Sequence, residues 1–447
     1  MQIVTAAPGD SVWKIASRYG VRVGDVIRLN GLDDPNRLVP GQALLLPVYE
    51  RIHAVRPGDT LWRLSRVYSV PMAAIAWVNG LVSPFSLYPG MRLRIPSPML
   101  WGPKTTIQVN GYLETTKEAE RDRRIVEETA RYMTYISLFQ YIVNPDGSLK
   151  PAPAVPALEA IAMTRALPLM VLTNTENGVF SLDVAHAVLA DAVAREKLLV
   201  NIENTVQKMN YAGVNVDFEH IPPADRDRYT DFLKELTVRM HAIGRLVSTA
   251  LAPKTSGEQP GLWYEAHDYG AHGAVVDFVI LMTYEWGWAG GPPMAVAPVS
   301  QVRRVLDYAV TVIPRSKIMM SAPLYGYNWT LPYKADGRFA TSLSAQEAVN
   351  LAWDVGAPIQ YDESAQSPFF HYYDESGKEH VVWFEDARSM QAKLQLVKEY
   401  GLRGISFWAL GDDFPQVWPL LAGNFHIRHL QNEKGSFTLQ ERTFYQP

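Results

Sequence analysis

The sequence predicts an α/β protein: a (β/α)8 barrel carrying an α+β insertion, preceded by two small βααβ units. Three observations carry this. A segment near the N-terminus recurs without a gap. From Thr105 onward, eight short β-rich runs alternate with helical stretches. Between Trp329 and Arg388 stand aromatic, strand-like pieces, too long a stretch for a simple βα loop.

The recurrence comes first along the chain. Pro8-Gly9-Asp10-Ser11-Val12-Trp13 returns as Pro57-Gly58-Asp59-Thr60-Leu61-Trp62. The same offset maps Asn30-Gly31-Leu32 onto Asn79-Gly80-Leu81, and Pro40-Gly41 onto Pro89-Gly90. Each copy reads strand, helix, helix, strand. Ser11 and Thr60 suit N-caps, because a hydroxyl accepts from the unpaired N–H groups of a first turn. Val12, Ile15, Ala16 and Tyr19 follow at helical spacing, and Leu44 and Leu46 alternate in a closing strand. The units are expected over 1–48 and 50–98, then a Pro/Gly-bearing linker over 99–104, the barrel over 105–430 with its insertion at about 329–388, and a tail over 431–447.

Composition bounds the function. Lys and Arg number 42 against 46 Asp and Glu, so nothing favours nucleic acid or another polyanion as partner. With no cysteine, disulfides, thiolate chemistry and zinc–cysteine sites are excluded. No apolar run is long enough to span a membrane, and the N-terminus lacks the basic and apolar regions of a signal peptide. No metal-ligand cluster of the usual kind is evident, and no cofactor is expected. Twelve Trp and 22 Tyr supply flat faces with polar tips, which suit sugar rings as well as cores. Oligomeric state is left open.

The candidate barrel strands are Ile107–Tyr112, Tyr135–Tyr141, Leu169–Thr173, Gly213–Phe218, Leu246–Ala250, Val276–Met282, Ile318–Leu324 and Gly404–Trp408. Side chains alternate along a strand, so Asn215, Asp217 and Glu219 share one face of the fourth, and Val214, Val216 and Phe218 the other. The apolar set should face the helices and the carboxylates the lumen, where they cost free energy unless paired or used. Glu219 ends the strand at the mouth where barrel enzymes place catalysis.

The repeats resemble the LysM domain, over about residues 3–47 and 52–96. The resemblance implies binding of N-acetylglucosamine polymers such as peptidoglycan or chitin, with Gly9, Asp10, Asn30, Gly58, Asp59 and Asn79 in the gripping loops; plain turn chemistry explains the same residues equally well. Over about 104–425 the chain resembles glycoside hydrolase family 18, whose fourth strand reads D-G-x-D-x-D-x-E. Gly213, Asp217 and Glu219 match, while Ala212 and Asn215 replace the first two Asp. Met282-Thr283-Tyr284-Glu285 stands where the family has M-x-Y-D.

That likeness implies Glu219 as general acid/base, Asp217 and Tyr284 on the substrate acetamide, and Asn215, Trp408, Tyr325, Met282 and Glu285 about the sugar. Asn215 cannot carry the charge of the usual Asp, but its amide could donate to Asp217 and keep it ionised. Paired LysM units with this strand resemble the spore cortex-lytic N-acetylglucosaminidases, which implies a spore or cell-wall location and peptidoglycan as partner. A chitinase and a non-catalytic lectin are the alternatives; loss of the acid would mark the lectin, and Glu219 is present.

Overall fold

The computed structural model describes residues 1–47, 49–68, 70–82, 85–96 and 104–430. The expected tail over 431–447, and all of the expected linker except Lys104, lie outside these.

Each repeat folds as its periodicity dictates. In the first, Gln2–Thr5 pairs antiparallel with Ala43–Leu46 beneath helices Val12–Tyr19 and Val23–Asn30. Ser11 caps the first helix, its Oγ accepting from Lys14 N at 3.2 Å. Val12, Ile15, Val26, Leu44 and Leu46 form the small core. The second repeats the plan with Tyr49–Ala54 on Arg92–Pro96 and a core of Leu61, Leu64, Ile75, Leu93 and Ile95.

Four of the loop residues have structural partners. Asn30 Nδ2 donates to Val26 O and Leu45 O at 2.7 and 2.9 Å, and its Oδ1 accepts from Leu45 N at 2.7 Å. Asn79 makes the same three bonds with Ile75 O, Arg94 O and Arg94 N. These amides lock the second helix onto the closing strand. Asp10 and Asp59 are likewise spent on the turn, accepting from Ala7 N and Arg56 N and pairing with Arg18 and His53. Gly9 and Gly58 stay on exposed loops.

The barrel closes from eight parallel strands, Thr106–Glu114, Tyr135–Val143, Leu167–Thr173, Gly213–Asp217, Leu246–Leu251, Phe278–Leu281, Ile318–Pro323 and Gly404–Trp408. The last pairs with the first (Gly404 with Gln108), and the first with the second (Asn110 with Tyr135). Val214, Val216 and Phe218 join the outer core under the helices. The lumen is filled by Tyr112, Tyr135, Leu169, Val171, Phe278 and Met319. The alternation of the fourth strand is thus realised as sequence predicts.

The insertion is a five-stranded antiparallel sheet with one helix, Ala345–Asp354. Its first strand starts at Tyr325 and its last ends at Trp383, so it lies slightly N-terminal of the 329–388 read from sequence. The reason is local: Asp386 caps Ala387–Tyr400, and that helix belongs to the barrel. A fully buried ion pair, Lys393 Nζ to Glu385 at 2.8 and 2.9 Å, ties the end of the insertion to it.

The first LysM unit is docked on the barrel. Its Leu29, Ala43 and Leu45 belong to the barrel's own apolar core. Gln416 donates to Asn30 Oδ1 and Ala43 O at 2.7 and 2.8 Å, and Ile359 N donates to Pro40 O at 2.9 Å. Gly41, at φ 86°, lies so close that a Cβ there would stand 1.8 Å from Ile359 O. Glycine is the residue that permits both the left-handed backbone and the approach.

Candidate active site

At the C-terminal mouth of the barrel, Asp217, Glu219, Met282, Tyr284, Glu285, Tyr325 and Trp408 converge on one cleft of about 1010 Å³. All but Asn215 of the barrel residues singled out in the sequence reach its wall.

Glu219 extends past the fourth strand and is positioned through its backbone. Asn174, just beyond the third strand and fully buried, acts as a substitute strand. Its Oδ1 accepts from Glu219 N at 2.9 Å, and its Nδ2 donates to Glu219 O at 2.8 Å. On the other side, His267 Nε2 lies 2.9 Å from Phe218 O while its Nδ1 accepts from Ala252 N at 2.8 Å. The second bond fixes the tautomer, so Nε2–H donates to Phe218 O.

Burial drives the electrostatics. The Glu219 carboxyl is partly open to the cleft yet desolvated by its walls, which pushes its pKa well up. The neighbouring charge of Asp217 adds to this, and Glu285 contributes less. The indole N–H of Trp263 opposes the shift from nearby; it is buried and holds no partner in hydrogen-bond geometry. Asp217, 4% exposed, is also pushed up by desolvation, and its Oδ1 has no hydrogen-bond partner. Asp217 thus brings an unsatisfied buried acceptor to the wall of the cleft.

Asn215 is corrected here. Its amide does not donate to Asp217; Nδ2 donates to Ser248 Oγ at 2.9 Å, and Oδ1 accepts from Tyr112 Oη at 2.8 Å. It sits below the cleft as part of the barrel packing. Asp217 is therefore not held as an anion by its neighbour, and burial moves its pKa the opposite way from that expectation.

Trp408 forms the floor, packed against Tyr112 at 5.3 Å and edge-on to Phe139 at 4.9 Å between ring centroids. Glu285 Oε1 accepts from Tyr325 Oη and, at 3.0 Å, from Tyr327 Oη. This pins the insertion's first strand over the cleft. Tyr327, Trp263, Phe180 and Asp412 also line the wall and were missed in the sequence. They come from loops and the insertion, where no periodicity marks them.

A closed barrel with a desolvated acid at the fourth strand's mouth, a buried carboxylate beside it and a tryptophan floor defines a family 18 type of glycosidase. The family model "Glycosyl hydrolases family 18" matches residues 185–413, and the LysM model matches 4–47 and 53–96. The cortical fragment-lytic enzyme of Bacillus subtilis (strain 168) is 48% identical over 430 residues, covering 96% of this chain and 99% of its own. The crystal structure of the Bacillus megaterium QM B1551 spore cortex-lytic enzyme SleL superposes with a TM-score of 0.83 at 44% identity, covering 96% of this chain and 99% of that one. A chitinase from Chromobacterium violaceum ATCC 12472 matches 71% of this chain and 98% of its own, at 27% identity and a TM-score of 0.66. The chain belongs to glycoside hydrolase family 18 and carries two LysM domains; it is a glycosidase.

Proposed function

We propose that this enzyme is an N-acetylglucosaminidase of spore-cortex peptidoglycan, cutting the β-1,4 bond that follows N-acetylglucosamine with retention of configuration. The observation that carries the chemistry is the convergence on one cleft of Glu219, a carboxyl raised by burial, and Asp217, whose buried Oδ1 has no hydrogen-bond partner. The relatives named for cortex lysis support the substrate.

Glu219 stays protonated to higher pH than a free carboxyl and gives its proton to the leaving oxygen; later it takes one from water. No second carboxylate is needed as nucleophile, because the acetamido carbonyl of the sugar above Trp408 attacks its own anomeric carbon. Asp217 accepts the acetamido N–H, orienting that carbonyl and balancing the cationic oxazolinium ion. Tyr284, which lines the same cleft, steadies the carbonyl. The site of action is the spore or the cell wall.

Hydrolysis of chitin oligomers is the second reading, favoured by the likeness to the chitinase at 27% identity. Glu219→Gln should lower kcat on N-acetylglucosamine oligomers by about 10²–10⁴-fold, with the melting curve retained. A variant keeping more than about a tenth of the wild-type rate contradicts the assignment of Glu219.

A further inference from the structure

Beside the catalytic cleft runs a second, larger depression of about 2150 Å³, walled by both LysM units and by the barrel. Asp412 lines both hollows, so the two meet at the loop after the eighth barrel strand. Arg121 joins them a second time: it lines the depression, and its Nη1 donates at 3.1 Å to the backbone carbonyl of Glu114 in the cleft wall.

The walls are held in fixed relation. The first LysM unit is clamped to the barrel by Gln416, Ile359 and Arg388. The second is tied to the first by Arg22, which bonds Val78 O. From this second unit Trp77 faces the depression 47% exposed, with Arg28 of the first unit 5.4 Å over its ring. Facing it on the barrel are the stacked pair Tyr132 and Trp418, and Arg124 exposed on the helix Ala119–Thr129.

We propose that this depression is an extended binding groove for the uncharged amino-sugar backbone of the glycan strand, continuous with the catalytic cleft. The proposal rests on the cleft being a site of N-acetylglucosamine polymer hydrolysis. Three features commit it to a sugar chain. Aromatic side chains stand on both walls, exposed Trp77 on one and the half-buried Tyr132–Trp418 pair on the other, and such groups suit sugar rings. Cations and carboxylates interleave along the lining, Arg124 beside Glu127 and Glu128, so it offers donors and acceptors without selecting a polyanion. And the hollow opens into the cleft at Asp412, where a strand leaving the cleaved bond can continue. The LysM units thereby act as one wall of the substrate path, in addition to any hold on the wall at their outer loops.

The test uses the full chain with Trp77→Ala and Arg124→Ala. Both side chains are exposed, and matched melting curves check the fold. The quantity read is the ratio of kcat/KM on long soluble cortical glycan strands to kcat/KM on the N-acetylglucosamine trimer. The groove predicts that each variant lowers this ratio by about fivefold or more. Arg124 decides the matter, because it lies on the barrel: if Trp77→Ala lowers the ratio while Arg124→Ala leaves it at the wild-type value, the LysM unit is only an anchor and the groove is refuted. Both ratios at the wild-type value refute it equally. A wild-type chain inert on strands and trimer alike would take down the reading of the cleft, and the groove with it.

Discussion

Glu219 is held by its own backbone, between the amide of Asn174 and the carbonyl fixed by His267. Asn174→Ala removes one side of that clamp without touching substrate. It should lower kcat about tenfold with little change in KM, and Asn174→Asp, which can accept but not donate, should recover part of the loss. A matching rise in KM, or no loss at all, would count against a positioning role. Asp217 supplies a stability test. Its folded pKa lies above the ordinary carboxylate value of about 3.9. Between those two values the folded chain keeps a proton that the unfolded chain releases, so stability falls as pH rises through that window. Asp217→Asn lacks this loss. Its melting temperature should exceed that of the wild type by more at pH 7.5 than at pH 4; a difference that is flat or reversed would contradict the desolvated site. The meeting of Asp217 and Glu219 in one cleft was legible in the sequence because strand alternation puts them on one face. The partner of Asn215 was not. Residues two apart on a strand are about 6.5 Å from each other, while neighbouring strands lie about 4.8 Å away, so its amide finds Ser248 and Tyr112.

At the scale of elements, the eight barrel strands were readable from their apolar runs, and their ends shift only where loops take over. The insertion was recognisable by its length and aromatics, but its limits were not. Tyr325 follows Pro323 so closely that barrel strand and insertion strand read as one run. The buried pair that closes the insertion could not be read from sequence either, since Glu385 and Lys393 look like ordinary surface residues there. Its energetics are checkable by chemical denaturation. Lys393→Met alone leaves a buried carboxylate unpaired and should cost about 3–5 kcal/mol. Lys393→Met with Glu385→Leu should recover most of that cost, and a double variant no better than the single would refute the pair as the cause.

Across the whole molecule, the gapless repeat and the linker after it read as two equivalent units ahead of the barrel, and the first is packed into the barrel. It shares apolar core with the barrel through Leu29, Ala43 and Leu45, so removing residues 1–97 would expose that surface. Docking depends on the close approach at Gly41, which the repeat hid by placing Gly90 at the same point of the second unit, where no such contact exists. Gly41→Ala should therefore destabilise or undock the first unit, seen as early proteolytic cleavage between the units and the barrel, whereas Gly90→Ala leaves the docked surface intact. Equal protease resistance of the two variants would contradict the docking geometry.

The central claim, cleavage by the acetamide of the sugar lying on Trp408, is tested most directly by the ends it leaves. In spore cortex many muramic residues are lactams whose nitrogen no longer bears an acetyl group, so at those repeats only N-acetylglucosamine can supply the nucleophile. Cortex digested with the enzyme, reduced with borohydride and analysed by mass spectrometry should yield fragments ending in N-acetylglucosaminitol. Fragments ending mainly in muramitol or reduced muramic lactam would contradict the roles given to Asp217, Tyr284 and Glu219.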